Sequence, residues 1–336
     1  MARTAVVILN WNGVAHLRRF LPSVIRNTAS DIEIIVADNG STDGSAAMLA
    51  EEFPMVRVIR LDRNYGFAEG YNRALAEVDA DYCILLNSDV ETPEGWTEPL
   101  TAVLDGDPTV AAVAPKLLSA ENRGEFEYAG ASGGFIDRLG YPFCRGRILQ
   151  CIETDEGQFD DARKVFWASG AALCCRLEVF KRLGGFASEF FAHMEEIDLC
   201  WRMQLAGYSV MVEPASRVYH LGGGTLTTSS PRKVFYNHRN NLAMLLRCAP
   251  AGQRLAVILL RPLADIMAAI SYLAQGHPDW AWAVVRAHRD FLKWHPRLLK
   301  ERKAIRASAV AESTQIYGGS IVLRYLFGKR KFDKLI

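Results

Sequence analysis

Apolar runs of strand length alternate with amphipathic segments through the first third of the chain. Five runs are mostly apolar and five to seven residues long, which is typical of strands buried on both faces of a parallel sheet. They cover residues 5–10, 32–38, 56–61, 82–87 and 110–114. Between them, residues 14–27, 43–52, 67–78 and 93–104 space their apolar positions as one face of a helix does. This order predicts a doubly wound α/β sheet with right-handed crossovers.

Polar residues follow four of these strands at the points where the strands end. The segments are Asn-Trp-Asn at 10–12, Asp-Asn-Gly-Ser-Thr-Asp at 38–43, Arg-Asn-Tyr-Gly at 63–66 and Asn-Ser-Asp at 87–89. Open parallel sheets bind ligands beyond the carboxyl ends of their strands, so this edge is the predicted ligand site. The first strand lacks a Gly-x-Gly-x-x-Gly turn, which argues against nicotinamide or flavin chemistry.

Two acidic residues at this edge are candidates for ligand binding. A turn and a helix cap explain Ser41, Thr42 and Asp43. They do not explain Asp38, whose place at a strand tip suits hydrogen bonding to a base or a ribose. Asp89 ends another strand, where a single acid is also compatible with an ordinary turn. For Asp89 both interpretations stay open.

A further acidic group lies downstream at Glu195, Glu196 and Asp198, between aromatic residues that indicate partial burial. Three carboxylates within four residues repel one another unless a cation, a pKa shift or Arg202 compensates their charge. The alternative is a solvated helix start, where the helix dipole favours acidic residues. The aromatic neighbours favour a functional site.

His220 follows a short apolar stretch and precedes glycines at 222–224. Consecutive glycines cost backbone entropy on folding, which indicates a loop that moves or approaches a ligand closely. With Asp89, His220 would form a mixed oxygen and nitrogen site for Mg²⁺ or Mn²⁺ once a diphosphate supplies the remaining ligands. A purely structural histidine is the alternative.

Seven segments occur in the order of a known family's motifs. They cover residues 7–13, 36–43, 64–72, 87–89, 169–171, 184–186 and 195–202. Together they resemble family 2 glycosyltransferases over residues 4–245, and most of all the bacterial branch of rhamnosyltransferases and other polysaccharide-assembly enzymes. The resemblance implies an α/β GT-A nucleotide-sugar-binding fold with a mixed, mainly parallel sheet, followed by a C-terminal helical region. It also implies a nucleotide-diphosphate sugar donor, a divalent metal and inversion at the anomeric carbon.

The resemblance also assigns roles to single residues at the donor. Asp38 would hold the nucleotide base. The other donor-binding positions would be Asn10, Trp11, Asn12, Asn64, Gly66, Asn72, Asn87 and Ser88. Asp89 matches the metal-binding end of the family's Asp-x-Asp motif, and His220 is its partner in the metal site considered above. Because Asn87 replaces the first acid of that motif, metal affinity without a nucleotide is expected to be low.

The catalytic base is assigned by the same resemblance. Glu196 matches the base, but the family's usual Glu-Asp pair is Glu-Glu here. The base therefore stays open between Glu196 and Glu195, with Asp198 in the same catalytic segment. A carboxylate there would take the proton of the acceptor hydroxyl, while the metal would neutralise the departing diphosphate.

The last part of the chain differs from the rest in charge. Residues 247–336 hold 16 Lys and Arg against 6 Asp and Glu, net +10, so the preceding 246 residues carry −9 of the total of +1. Together with the resemblance, which implies the catalytic domain, this asymmetry predicts a division into a GT-A glycosyltransferase domain at 1–246 and a basic amphipathic helical tail at 247–336. It argues against nucleic acid as a partner of the main domain and suggests an anionic partner for the tail.

Within the tail, residues 255–274 and 280–306 are predicted helices, which Pro262 and Pro296 would end or kink. The second helix has an apolar stripe, made up of Val284, Ala287, Phe291, Trp294 and Leu298. Such a stripe beside basic residues suits an anionic bilayer surface. It suits equally well a helix that packs on the catalytic domain, and both alternatives stay open.

The cysteines and the apolar runs of the sequence indicate where in the cell the protein is expected. Seven cysteines without a Cys-x-x-Cys pair indicate reduced core thiols, and no signal peptide is recognised at the start. No run reaches the roughly 20 apolar residues that span a bilayer, because Arg261, Pro262 and Asp265 interrupt the best candidate. We expect a cytoplasmic protein, free or peripheral on the inner face of the cytoplasmic membrane. Its expected partners are a nucleotide-diphosphate sugar and a glycan or lipid-linked acceptor.

Two other functions are compatible with such a fold. A nucleotidyltransferase would be expected to carry a basic, glycine-rich loop after the first strand, and residues 10–13 contain no basic residue. A catalytically silent nucleotide-sugar binding protein at the membrane should lack the acids at the strand tips or in the downstream group, and all of them are present. Both observations favour the sugar transferase.

Overall fold

The computed structural model describes residues 2–222, 230–332 and 335. Its strands are β1 (Thr4–Asn10), β2 (Glu33–Asp38), β3 (Arg57–Arg60), β4 (Tyr82–Asn87), β5 (Val90–Glu91), β6 (Val110–Ser119), β7 (Gly134–Asp137), β8 (Pro142–Cys144), β9 (Arg147–Ile148), β10 (Cys151–Ile152), β11 (Arg163–Val165), β12 (Ala172–Arg176), β13 (Ser209–His220) and β14 (Ile316–Tyr317). The predicted strands are all present, with ends shifted by a few residues. Of the predicted glycine loop, positions 223 and 224 lie outside the described residues.

The helices are α1 (Val14–Asn27), α2 (Ser45–Glu52), α3 (Gly66–Ala76), α4 (Glu98–Gly106), α5 (Leu177–Arg182), α6 (Glu195–Leu205), α7 (Pro231–Cys248), α8 (Ala251–Ala274), α9 (Pro278–Ala307) and α10 (Ile321–Leu326). A 3-10 turn covers Ser188–Phe190. The helices predicted between the strands are all present. Helix α1 has the predicted bounds, and its predicted apolar face is buried.

Nine strands form a central mixed sheet in the order β11-β13-β6-β12-β4-β1-β2-β3, with β5 paired to β13. Strand β1 runs parallel to β2 and β4, and β2 runs parallel to β3, as predicted. The strand predicted at 110–114 was also expected to be a buried parallel strand, and it runs parallel to its neighbour β13. It extends to Ser119 as β6, and the antiparallel strand β12 separates it from β4.

Both faces of the parallel strands are covered, which explains why their sequences are apolar without alternation. Val6 and Ile8 of β1 join a core formed with α1, α2 and α4, whereas Ala5 and Val7 join a second core with α3, α5 and α6. The carboxyl ends of the strands lie in register, with Asn10 beside Asp38 on β2. The sheet thereby brings the polar segments to one edge.

The C-terminal helices are continuous with this second core. The predicted domain boundary at 246/247 falls inside α7, and the chain beyond it contributes Leu298, Ile321 and Phe332 to the core. Helix α9 packs along α7. The predicted apolar stripe faces the protein, with Val284 and Ala287 buried. Of the two alternatives for this stripe, packing on the catalytic domain is confirmed.

Of the two effects predicted for Pro262 and Pro296, ending the helix does not occur, because both residues lie inside continuous helices. Both residues are exposed, so water can hydrate the backbone carbonyls that proline leaves without a donor. All seven cysteines are free thiols, as predicted. Within the described ranges, no helix has the length and apolar content needed to cross a membrane.

Candidate active site

The carboxyl ends of β1 and β2 bring two buried polar residues together. The Asn10 amide donates to Asp38 Oδ1 over 3.4 Å and to Ser41 Oγ over 3.2 Å. Ser41 in turn accepts the backbone N–H of Asn12 at 2.9 Å. The sheet register and these bonds assemble the predicted base-binding group around Asp38.

The turn after β1 carries an exposed aromatic ring. Trp11 is 40% exposed, which suits stacking against a flat base. Asn12 has a φ of 50°, and its side-chain oxygen accepts the backbone N–H of Thr42 at 2.7 Å. A Cβ on Gly13 would lie 3.5 Å from Ser88 Oγ, so this turn also touches the turn after β4. The donor contacts predicted for these residues stay predictions.

Asn39, which the sequence analysis did not single out, holds the loop before α3 against the end of β2. Its Nδ2 donates to Gly66 O at 2.9 Å and to Asn64 Oδ1 at 3.2 Å, and its Oδ1 accepts Tyr65 N–H at 3.0 Å. Gly66 has a φ of 77°, and a Cβ there would overlap the Phe191 ring. Asn64 and Gly66 therefore shape this loop.

Asn72 uses its side-chain amide within the protein. Its Nδ2 donates to Phe186 O and its Oδ1 accepts Phe186 N–H, both at 2.9 Å, and Nδ2 also contacts Ser188 Oγ at 3.1 Å. A group with both ends occupied has little capacity left for a ligand. We therefore revise the predicted donor-binding role of Asn72: it ties α3 to the segment before α6.

The turn after β4 meets His220, the last residue of β13. Asp89 Oδ1 lies 3.2 Å and Asn87 Nδ2 lies 3.3 Å from His220 Nε2. Glu127, from the loop after β6, lies 3.2 Å from His220 Nδ1. Burial by itself would lower the pKa of His220, but the facing carboxylates of Glu127 and Asp89 raise it to about 10. Burial also opposes ionisation of Asp89, yet the hydrogen bond from His220 keeps the Asp89 pKa below its usual value.

This group fits a divalent cation that binds together with a diphosphate. Asp89 and His220 offer an adjacent oxygen and nitrogen, and Mg²⁺ or Mn²⁺ commonly takes its other ligands from phosphates and water. Glu127 faces the far ring nitrogen of His220, an arrangement that orients a metal-ligating histidine. Among residues 2–222, 230–332 and 335, no three His, Cys, Asp or Glu side chains form a metal-holding group. Phosphate and water oxygens would complete the coordination.

Helix α6 follows a strained loop that α7 holds in place. Phe191, His193 and Met194 have φ values of 65°, 71° and 74°, a region that residues other than glycine rarely adopt. The Asn240 side chain donates to three carbonyls of the loop, at distances of 2.8 to 3.0 Å. These bonds offset the strain and set the position at which α6 begins.

Glu195 and Glu196 form the first turn of α6 with little compensation. The Oε2 atom of each is buried and has no hydrogen-bond partner within the described part of the chain. Burial and the neighbouring Glu196 raise the pKa of Glu195 well above its usual range, and burial raises the pKa of Glu196 to about 7. Glu195 is 4% exposed, whereas Glu196 is partly exposed. An acceptor can therefore reach Glu196 more easily.

Asp198 is separate from this pair. It is fully buried, with Oδ2 2.7 Å from Arg202 Nε and Oδ1 3.6 Å from Arg247. Arg202 also donates to the carbonyls of Leu183 and Gly185, each at 2.7 Å. Two guanidinium groups neutralise this carboxylate and leave it no access to a substrate. The predicted catalytic role of Asp198 is therefore corrected to a structural one.

Residues 169–171 connect the two acidic groups. The backbone N–H of Asn87 donates to Ala171 O at 3.0 Å. A Cβ on Gly170 would lie 3.8 Å from the Cβ of Glu196, an ordinary van der Waals distance, so this segment lies beside the first turn of α6. The structure thus brings the turn after β4 and Glu196 to the same edge of the sheet.

Besides Asn39, sequence reasoning missed two further positioning residues of the site, Glu127 and Asn240. Glu127 lies in a glycine-rich stretch without regular periodicity, and nothing nearby in sequence indicates its contact with His220. Asn240 belongs to the polar run at 238–241, which is buried within α7. Buried polar residues in a helix interior are unusual. This run is therefore the feature of the sequence that could have indicated the positioning role of Asn240.

Comparison with known proteins gives a consistent result. Residues 5–160 match the profile described as Glycosyl transferase family 2. An N-acetylglucosaminyl-diphospho-decaprenol L-rhamnosyltransferase of Mycobacterium tuberculosis is 29% identical over 233 residues, which cover 64% of this chain and 75% of that protein.

Solved structures share the fold. GalNAc-T7, crystallised with UDP, GalNAc and Mn²⁺, aligns with a TM-score of 0.57 at 18% identity, over 74% of this chain and 48% of that one. Residues 1–349 of S. aureus TarS in complex with UDP-GlcNAc align with a TM-score of 0.57 at 15% identity, over 97% and 92% of the two chains. These similarities confirm the predicted fold.

Proposed function

We propose that this chain, which carries a family 2 glycosyltransferase domain, transfers a sugar from a nucleotide-diphosphate sugar to a hydroxyl of a lipid-linked glycan, with inversion, in bacterial polysaccharide assembly. The relative named for a decaprenol-linked substrate supports the lipid-linked acceptor. The neighbours that hold UDP, Mn²⁺ or UDP-GlcNAc support the donor class and a divalent metal. Association with an anionic membrane surface is part of the same proposal.

The donor half of the site would bind and orient the leaving group. Asp38 and Asn10 hydrogen-bond the nucleoside, and Trp11 covers its base. Asp89 and His220 hold the metal, which when bound neutralises the negative charge that develops on the diphosphate. Glu127 keeps the His220 ring in place from its other side.

The acceptor half would supply the base. Glu196 takes the proton of the acceptor hydroxyl. At the same time the hydroxyl oxygen bonds to the anomeric carbon from the face opposite the diphosphate. The bond between that carbon and the phosphate oxygen breaks in the same displacement, so the configuration inverts. A base with a pKa near 7 is matched to proton transfer at neutral pH.

The observation that carries the proposal is the approach of Glu196 to the turn after β4 through residues 169–171. It supports a proton acceptor beside a diphosphate site, which is the arrangement that sugar transfer requires. A nucleotidyltransferase would instead be expected to carry a basic, glycine-rich loop after β1, and residues 10–13 contain no basic residue.

The test is a donor screen with the full chain, Mn²⁺ and a short-chain, water-soluble prenyl-diphosphate sugar. We expect one nucleotide-diphosphate sugar to give acceptor-dependent release of nucleoside diphosphate, and NMR of the product to show the inverted anomer. An excess of chelator should stop the release. A retained anomer, undiminished turnover in chelator, pyrophosphate release from a nucleoside triphosphate, or donor binding without turnover would each contradict the proposal.

A further inference from the structure

Helix α8 turns an apolar side toward solvent. Seven large apolar residues of this helix are each at least 50% exposed: Leu259, Leu260, Leu263, Ile266, Met267, Ile270 and Leu273. Their spacing of three and four places most of them on one side, over about 21 Å at the rise of an α-helix. We call this surface the α8 face. A contiguous apolar surface of this kind is typical of an interaction site.

The charged residues of the same segment point the other way. Residues 259–274 contain two, Arg261 and Asp265, which are 3% and 1% exposed. Arg261 Nε donates to Asp265 Oδ1 at 2.9 Å, and Asp265 contacts His238 of α7 and His288 of α9 at 3.1 and 2.9 Å. This network fixes the rotation of α8 about its axis. The two charges that interrupt the apolar run in the sequence therefore leave the α8 face uncharged.

The outward side of α9 adds apolar and basic residues. The apolar residues there are Trp282, Val285 and Leu292, each at least 50% exposed. Arg289 and Lys293 follow at helical spacing, with side chains 58% and 65% exposed, and their contacts with Asp290 leave one positive charge in excess. Residues 251–307 hold ten Lys and Arg against four Asp and Glu. Helices α8 and α9 together thus carry six more basic than acidic residues.

We propose that the α8 face lies on an anionic lipid bilayer, with the helix parallel to the membrane and the basic residues of α9 at the headgroups. Amphipathic helices bind in this way when apolar burial and attraction to anionic lipids act together. The inference rests on the membrane association proposed above and names the surface that makes the contact.

Charge decides between a bilayer and a second copy of the chain. A two-fold contact through the α8 face would bring the same surface of each copy together, and with it the excess positive charge that α8 and α9 carry in both copies. Like charges facing one another oppose such a dimer, whereas anionic headgroups attract them. The opposite side of α8 packs on α7 and α9, so the helix would lie at the interface rather than cross the membrane.

The test compares two substitutions of one kind in the full chain. Met267→Glu places a charge on the α8 face, and Met55→Glu places the same charge at another exposed methionine, 69% exposed and outside that face. Each protein is sedimented with vesicles of phosphatidylcholine and phosphatidylglycerol at 7:3 (about a third anionic, to supply the surface potential) and with vesicles of phosphatidylcholine alone.

We expect the unmodified chain and Met55→Glu to bind the anionic vesicles equally. The affinity of Met267→Glu for these vesicles should be lower by roughly tenfold or more. All three should transfer sugar equally to the water-soluble acceptor, which separates this result from the proposed chemistry. No binding by the unmodified chain, equal binding by Met267→Glu, or binding that ignores lipid charge overturns the inference. So does a dimer in solution that Met267→Glu dissociates, because a second copy then covers the face.

Discussion

The two acidic groups at the sheet edge differ in how their charge is balanced. In the first, the His220 ring lies between Asp89 and Glu127, 3.2 Å from each. In the second, Glu195 and Glu196 each bury an oxygen that has no hydrogen-bond partner in the described ranges. The carboxylates of the first group are paired with an imidazole ring, whereas those of the second group lack a partner and so bind a proton more readily.

This difference teaches where each step of a transfer reaction belongs. Because Glu127 and Asp89 raise the pKa of His220 to about 10, a divalent cation that binds the ring together with a diphosphate must displace its proton. An uncompensated buried carboxylate has a raised pKa and accepts a proton near neutral pH. The strained loop before α6, held by Asn240, keeps the second group in that state.

The largest effect is expected from breaking the first group. Asp89→Ala removes the one acid of the turn after β4, and no neighbouring residue of that turn can replace its charge. Transfer should fall roughly 10³-fold or more, measured as product formed at saturating donor with Mn²⁺. Asp31→Ala, at an exposed loop position, is the matched control and should be unaffected. Substantial transfer by Asp89→Ala would remove the metal role from this cluster.

The second group is broken by Glu196→Gln, which keeps side-chain volume but loses the proton acceptor. Turnover should fall roughly 10²-fold or more while the donor KM stays unchanged. Glu195→Gln is the matched comparison: burial and the neighbouring Glu196 raise the Glu195 pKa well above its usual range and so disfavour its charged form, and the neutral variant should act almost as the native chain does. If Glu195→Gln is the severe variant instead, the base is Glu195.

Glu127→Gln tests the positioning of His220, because it leaves both proposed metal ligands, Asp89 and His220, in place. It removes the carboxylate that faces the far nitrogen of His220, so affinity for Mn²⁺ in the presence of nucleoside diphosphate should fall about tenfold or more. Electron paramagnetic resonance of free Mn²⁺ measures this, and turnover should recover at high Mn²⁺. Glu125→Gln, two residues away and exposed, should bind Mn²⁺ normally. Equal affinities in the two variants would make Glu127 a structural residue only.

The smallest effect concerns pH and tests the second group alone. The Glu196 pKa of about 7 means that the base is lost as pH falls, so transfer at pH 6 should be about tenfold lower than its plateau. The pKa is raised above the unfolded value, so stability from this group declines as pH rises from about 4.5 to 7. Glu196→Gln should abolish the acid limb and raise the Tm relative to the native chain at pH 8 but not at pH 4. If transfer by Glu196→Gln still falls at low pH as it does in the native chain, the titrating group is a residue other than Glu196.

Much of the donor edge could be predicted because each strand and the turn after it are contiguous in sequence. Asn10, Asp38 and Asp89 were identified from their positions at strand ends alone, and the register of β1 and β2 places the first two together. The partners that come from distant segments, such as Glu127 for His220 and Arg247 for Asp198, leave no local pattern. The contacts of Asp198 with Arg202 and Arg247, which favour a structural role over the predicted catalytic one, could not be seen in the sequence for this reason.

The sequence by itself determined the alternation of strands and helices, the polar edge of the sheet and the family resemblance, because these depend on local periodicity and on residues within a few positions of one another. Only the tertiary structure decided which side of a helix meets protein. Helix α9 buries the stripe that looked suited to a membrane, and α8 exposes its apolar side because Arg261 and Asp265 pair inside. Amphipathicity shows that a helix has two sides, whereas the contacts of the whole fold choose which side is covered.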